Sequence, residues 1–286
     1  MLTRLLLAAL LLVLPASCKR SAPQGEDAGA SPPAKTTLTV KGSDTMVVLV
    51  QLWAEEFMKR EPGVSVQVTG GGSGTGFAAL LNGTTDLAMA SRPIKDSEAS
   101  QVQQRHGEKP AELAVAKDGI TFYVHESNPA ASLTLTQLRD IYLGDLKNWK
   151  ALGGPDRRIV VYSRENSSGT YAFVKEELLK GEDFTSEALT LPGTAAVVHA
   201  VSLERYGIGY GGAAYGRGAR ELPVRVDEEL IAPSKENIQS GRYPLSRSLF
   251  FYARGAPTGI AQRFVDFELS PEGQAIVTKA GYFPVK

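Results

Sequence analysis

Residues 37–91 contain TLTV (37–40), MVVLVQLWAEEFMKR (46–60), VSVQV (64–68), FAALLNG (77–83) and TDLAMAS (85–91), so short β-branched runs alternate with helical ones. Parallel strands need a connection long enough to hold a helix, and this alternation predicts an α/β fold with largely parallel sheets. In the longest helical run Met46, Val50, Trp53 and Phe57 step by four, three and four, with Glu55, Glu56 and Lys59 off that line. Such spacing puts the four apolar side chains on one face, which is core and not a cofactor box.

Towards the C-terminus, LAVAKDGITFYVH (113–125) is a long apolar run broken by Lys117, Asp118 and Gly119, as if one strand left one sheet and entered another. PLSRSLFFYARG (244–255) has the same character. Two crossings predict two lobes joined by two extended strands, with a cleft between them. The expected first lobe is residues 36–118 plus 255–286, and the second is residues 119–254.

Towards the N-terminus, MLTRLLLAALLLVLPAS (1–17) places Arg4 before an apolar run at residues 5–14 and ends on Ala16 and Ser17, the pattern of a secretory signal peptide. The run is shorter than the roughly 20 residues that span a hydrocarbon core, and no later stretch is long enough, so no retained transmembrane helix is expected. The only cysteine, Cys18, follows directly, as in bacterial lipoprotein signals where the thiol is acylated, although Pro15 stands where those signals usually carry Leu. A stray cysteine in a cleaved segment is the alternative. In residues 19–35, 11 of 17 positions are Ser, Ala, Gly or Pro, a flexible tether by composition. The expected location is outside the cytoplasmic membrane, facing the periplasm or cell exterior and held by a lipid at Cys18.

The 286 residues carry 31 basic and 31 acidic side chains, 22% charged and 43% hydrophobic, which is the composition of a soluble globular chain. A net charge of zero gives no long-range positive field, and no basic stripe with interleaved aromatics is present, so nucleic acid is set aside. One cysteine excludes a disulfide within the monomer.

Three times a Ser/Thr/Gly cluster stands before a helical pattern: GSDTM (42–46), GGGSGTGF (70–77) and NSSGTY (166–171). One such cluster is most simply a helix cap, but three converging helix starts would present orphan N–H groups to an oxyanion without a net-charged pocket. Arg164, four residues before Ser168, could meet the same anion with two parallel hydrogen bonds, or make a surface ion pair. Asp86 follows the turn NGTT. A carboxylate at an anion site is useful only where the anion brings a proton, as phosphate does near neutral pH and sulfate does not. Alternatively, Asp86 is a turn residue.

Enzyme signals are poor. Ser73 lies in GGSGT, without the second glycine of a nucleophile elbow, and His106, His125 and His199 follow no triad order. The glycine-rich loop has no lysine to close a nucleotide-binding P-loop, and no metal-ligand spacing occurs. A secreted serine hydrolase or phosphatase remains the distant alternative.

The segments KGSDTMVVLVQLWAEEF, GGGSGTGFAALLNGTTDLAMASRPIKDSE, VAKDGITFYVHESNP, LTLTQLRDIYLGDLKNWKALGG, SRENSSGTY, RYGIGYGG and YPLSRSLFFYARG together resemble the phosphate-binding protein family of the high-affinity bacterial phosphate ABC transporter. Coverage runs from about Thr37 to the C-terminus; one departure is Ser248, where relatives often carry Pro. The resemblance implies a non-enzymatic, two-lobed periplasmic-binding-protein fold of the second topological type that closes on dehydrated phosphate. Its ligand residues carry over onto Ser43, Thr45, Ser73, Asp86 as proton acceptor, Arg164, Ser168, Gly169 and Thr170, with Gly74 and Ser91 lining the same loops. It further implies permease and ATPase subunits as partners, no cofactor or metal, and a monomer. Another oxyanion, such as sulfate, molybdate, tungstate or arsenate, and a sensor or scavenger role stay open beside it.

Overall fold

The expected rhythm opens the chain as β1 (Thr36–Gly42), α1 (Val47–Arg60), β2 (Val64–Thr69), α2 (Ser73–Asn82), β3 (Leu87–Ala90) and α3 (Asp96–His106). Next come β4 (Ala111–Val124), β5 (Leu133–Thr134), α4 (Leu135–Leu143), β6 (Val160–Arg164), α5 (Gly169–Glu177), β7 (Leu189–Leu191), α6 (Thr194–Leu203) and β8 (Gly207–Gly212). The chain finishes with β9 (Arg220–Leu222), β10 (Val224–Val226), β11 (Glu229–Ile231), α7 (Lys235–Gln239), β12 (Ser246–Ala253), α8 (Gly259–Leu269) and α9 (Pro271–Lys279). This computed structural model describes residues 36–227 and 229–285, so the leader, Cys18 and the tether expected at residues 1–35 lie outside the described residues. Among the described residues no helix is long and apolar enough to cross a membrane.

The strands follow the order β2-β1-β3-β12-β4-β8-β6-β7, with β9 also on β4, and a small sheet runs β11-β10-β5. β1 lies parallel to β2 and β3, with Val40 opposite both Val68 and Leu87. β4 serves two sheet segments. Ala111 to Gly119 pair with β12, while Ile120 to Val124 pair with β8, so the change of partner falls at the KDG break. A Cβ on Gly119 would lie 2.6 Å from the tip of the Ile238 side chain, which would have to shift to make room.

Two hydrophobic cores flank this change. In the first, Met46, Val50, Trp53 and Phe57 are all buried, as their spacing predicts, against Leu38, Val40, Phe251, Phe264 and Val277. The Trp53 indole N–H is satisfied by the Gly273 carbonyl at 2.8 Å, and the Phe57 and Phe264 rings meet edge-on at 5.1 Å. Burying a side chain such as Phe57 contributes about 2 kcal/mol. The second core gathers Phe122, Leu138, Tyr142, Trp149, Val174 and Tyr210. The chain is thus a two-lobed α/β protein.

The packing of β12 bears on the expected boundary near residue 254. Leu249, Phe251 and Ala253 of β12 pack in the first core, whereas Tyr243 and Leu245 belong to the second. β12 is a full antiparallel partner of the first half of β4, from Ser246 opposite Gly119 to Ala253 opposite Ala111. Along the returning chain the packing thus changes from the second core at Leu245 to the first at Leu249.

Candidate functional site

In a parallel sheet, the loops leaving the carboxyl ends of the strands gather on one side, and ligands bind there. β1 delivers Ser43, Asp44 and Thr45 to that side, β3 delivers Ser91, β6 ends on Arg164, and α2 and α5 begin at Ser73 and Gly169. Ser43, Thr45, Ser73, Ser91, Ser168 and Thr170 are each at most 1% exposed. Ser43 Oγ donates to Ser91 Oγ at 2.9 Å, and Ser73 Oγ accepts the Ser91 N–H at 3.0 Å. Thr45 Oγ1 and Thr170 Oγ1, from opposite lobes, stand 2.9 Å apart. The Gly74 N–H donates to the Ser167 carbonyl at 2.9 Å, joining the glycine-rich loop to the second lobe. At Gly72, with φ of 91°, a Cβ would lie 2.5 Å from that same carbonyl oxygen.

Only one of the three clusters caps its helix with a hydroxyl. Ser168 Oγ accepts from the Thr170 and Tyr171 N–H groups, both at 3.2 Å. α1 and α2 have Met46 and Gly72 at the N-cap and no side-chain cap bond. The hydroxyls of Ser43, Thr45 and Ser73 are therefore free of capping duty, and the helix starts keep the amide polarity that favours an anion.

Arg164 is buried with four of its five guanidinium N–H donors engaged, leaving one Nη1 N–H to donate. Nη1 donates to Thr194 Oγ1 at 2.9 Å, Nη2 to Asp44 Oδ2 and Glu165 Oε1, both at 2.9 Å, and Nε to Glu165 Oε2 at 3.2 Å. Burial pushes the Glu165 carboxyl up, but the hydrogen bond and charge of Arg164 outweigh it and hold the group below its usual range. The fork therefore lies between the lobes, already paired and aimed.

Four charged residues, Asp44, Glu165, Asp118 and Arg247, escape the sequence reading as members of the site. Arg247 on β12 donates through Nη2 to Asp118 Oδ2 at 2.8 Å, Thr170 Oγ1 at 3.0 Å and Thr45 Oγ1 at 3.4 Å, and through Nη1 to the Ser91 carbonyl at 2.9 Å. Burial pushes the Asp118 carboxyl up against the opposing pull of Arg247, and pulls the guanidinium down against the opposing effect of Asp118. The guanidinium stays protonated, since arginine does not lose its proton in proteins. The available signal was charge inside two largely apolar strands, Lys117 and Asp118 in VAKDGITF and Arg247 in LSRSLFF. Around the hydroxyls two guanidinium groups face three carboxylates, those of Asp44, Glu165 and Asp118. With no surplus positive charge, hydroxyl and amide dipoles have to hold an anion.

Asp86 is corrected. It precedes β3, whereas the site lies beyond the far end of that strand, and five residues at about 3.3 Å each put it roughly 16 Å from Ser91 along the chain. Its Oδ2 accepts from the Thr39 N–H at 2.7 Å and the Thr39 hydroxyl at 2.8 Å, so it ties β3 to β1. Asp44, between Ser43 and Thr45 in the chain, is one of the carboxylates at the site: its Oδ1 accepts the Gly71 N–H at 2.8 Å while Oδ2 takes Arg164.

The chain matches the PBP superfamily domain over residues 27–272. The phosphate-binding protein PstS of Pseudomonas aeruginosa is 34% identical over 267 residues, covering 87% of this chain and 83% of that one. PstS of Staphylococcus epidermidis is 34% identical over 283 residues, covering 94% and 86%. The chain belongs to the PstS family of the PBP superfamily. Among solved structures, a Clostridium perfringens protein assigned as a phosphate ABC transporter substrate-binding protein, with bound phosphate, superposes with a TM-score of 0.80 at 32% identity, covering 88% of this chain and 100% of that one. An ABC-type phosphate transport receptor from Vibrio cholerae gives 0.69 at 27% identity, covering 86% and 99%. PstS proteins are substrate-binding proteins, not enzymes. Among the described residues of this PstS-family chain, no group of three His, Cys, Asp or Glu side chains stands close enough to hold a metal.

Proposed function

We propose that this chain binds inorganic phosphate in the cleft between its lobes, outside the cytoplasmic membrane, and delivers it to the permease and ATPase subunits of an ABC importer. The observation that carries the reading is the cluster of six buried hydroxyls, five at uncapped or hydroxyl-capped helix starts and Ser91 just beyond β3, with Arg164 bridging from β6 to Asp44 and no surplus positive charge. Phosphate enters the open cleft, hydroxyl and amide donors replace its water shell, and the lobes close. Closure is the change that a permease recognises. The ligand set is Ser43, Thr45, Ser73, Ser91, Arg164, Ser168, Gly169 and Thr170, with backbone support from Gly74. Asp44 takes the proton-accepting role, because of the three carboxylates it is the one that lies between Ser43 and Thr45 and bonds the glycine-rich loop at Gly71. The first lobe comprises residues 36–118 plus 246–286 and the second residues 119–245, on the packing of β12. A lipid on Cys18 tethers a monomer to the membrane.

The test is titration calorimetry on protein unfolded and refolded to strip carried-over ligand, with phosphate and then sulfate near neutral pH. One-to-one phosphate binding at micromolar affinity or tighter, about −8 kcal/mol or better, with no sulfate heat is expected. Equal sulfate binding would remove Asp44 from its role, and absence of phosphate binding would overturn the assignment.

A further inference from the structure

The hydroxyl cluster has a second cation behind it, and that cation touches both lobes. Arg247 lies at the start of β12, where the chain has just crossed from the second core to the first. Its guanidinium bonds the Ser91 carbonyl and Thr45 Oγ1 on one side and Thr170 Oγ1 on the other, and sits 5.4 Å over the Phe173 ring of α5. Asp118 holds it from the adjacent crossing strand by two bonds to one carboxylate oxygen, at 2.8 and 3.2 Å.

The chemistry of these bonds is one-directional. Arginine has N–H donors and no acceptor, so Thr45 Oγ1 and Thr170 Oγ1 can only accept from Nη2. With those lone pairs engaged, each threonine turns its O–H away from Arg247. One O–H serves the Thr45–Thr170 contact and the other is left to donate, and both can donate to an oxyanion that separates the pair. Asp118 offsets the buried charge and fixes the fork, which would otherwise be an unpaired cation in a dry site.

We propose that Arg247, held by Asp118, is a positioning residue of the anion site that orients the Thr45 and Thr170 hydroxyls as donors once the lobes are closed. This rests on the phosphate reading above. Because Arg247 acts through these hydroxyls, its effect on binding has to be coupled to theirs, which a merely structural role in the hinge would not produce.

The test is a double-mutant cycle on phosphate affinity, measured by calorimetry with inorganic phosphate on wild type, R247M, T170V and the double variant, with R247K alongside. R247M is expected to lose about 100-fold in affinity and R247K less, since charge-assisted hydrogen bonds are the strong ones. Adding T170V to R247M is expected to cost under about threefold more, although T170V alone costs about tenfold, because contacting residues couple. Should R247M fail to fold with Asp118 left unpaired, R247M/D118N, which removes both charges, replaces it in the cycle. Wild-type binding combined with losses that multiply, or with R247M binding phosphate as wild type does, would overturn the positioning role alone. Wild type that takes up no phosphate would overturn the phosphate reading and this inference together.

Discussion

Gly169 meets Ser91 with no room for a side chain: a Cβ on Gly169 would stand 2.6 Å from the Ser91 hydroxyl oxygen, and closer still to that of Ser73. Gly169 belongs to the second lobe and both serines to the first, so the first carbon atom of a side chain there would hold the lobes apart. Alanine is a better helix former than glycine, so the α5 start itself tolerates the change. G169A is expected to lower phosphate affinity by about 100-fold or more while leaving the melting temperature of the ligand-free protein nearly unchanged. Calorimetry and a thermal melt on the same preparation check this, and wild-type affinity would show that the approach of the two loops is not needed.

Asp44 and Asp86 should separate cleanly. D86N removes the charge from the bonds to Thr39, so a loss of about 1 kcal/mol of stability is expected, with the preference for phosphate over sulfate intact. D44N takes a carboxylate from the site and is expected to admit sulfate. Competition of sulfate against bound phosphate, measured for both variants, distinguishes them; a sulfate-tolerant D86N would contradict its place at the far end of β3.

Glu165 ties acid stability to the same arginine. Its folded-state pKa lies below the ordinary 4.5, so the contact stabilises the fold above about that pH and the contribution fades as pH falls through the folded value. R164Q removes the partner. Melting temperatures taken from pH 7 down to 3 are expected to fall more steeply for wild type than for R164Q below about pH 4.5, and phosphate affinity of R164Q is expected to drop by about 100-fold. Parallel melting curves would detach Glu165 from Arg164.

Glu268 on α8 is fully buried, and neither carboxyl oxygen has a hydrogen-bond partner among the described residues. Burial holds its pKa well above the ordinary 4.5, so the folded state keeps a proton that the unfolded state releases. Stability associated with this group is therefore full below about pH 4.5 and declines as pH rises towards the folded value. E268Q carries no charge at any pH. It is expected to gain on wild type as pH rises, by about 1–3 kcal/mol at the plateau, in urea unfolding followed from pH 4 to 8. A pH-independent difference would mean that Glu268 finds a partner in the folded state.

Much of this molecule was legible in its sequence, and the parts that were not share a cause. The face of α1 could be read because residues three and four apart are neighbours on any helix, and Trp53 needs no distant partner to declare itself apolar. The break at Lys117, Asp118 and Gly119 could be read because a strand buried on both faces is uniformly apolar until it changes sheet. Ser168, Gly169 and Thr170 could be read because a helix start is a local event. Asp86 stands apart from the hydroxyls although its residue type fits an anion site, because which end of β3 faces them depends on the direction of the strand in the sheet. Arg247 was missed because its meaning lies in Asp118, 129 residues away, and in hydroxyls from both lobes. Local patterns report which element forms; only the assembled sheet reports which end of it meets the ligand.

β4 lends hydrogen bonds to β12 along its first half and to β8 and β9 along its second. Neither lobe can melt without stripping the other of its central strand, so the two halves should lose their structure in one cooperative step. A single calorimetric transition with matching van't Hoff and calorimetric enthalpies is the thermal signature of that sharing. The strand that joins the lobes also denies them separate fates.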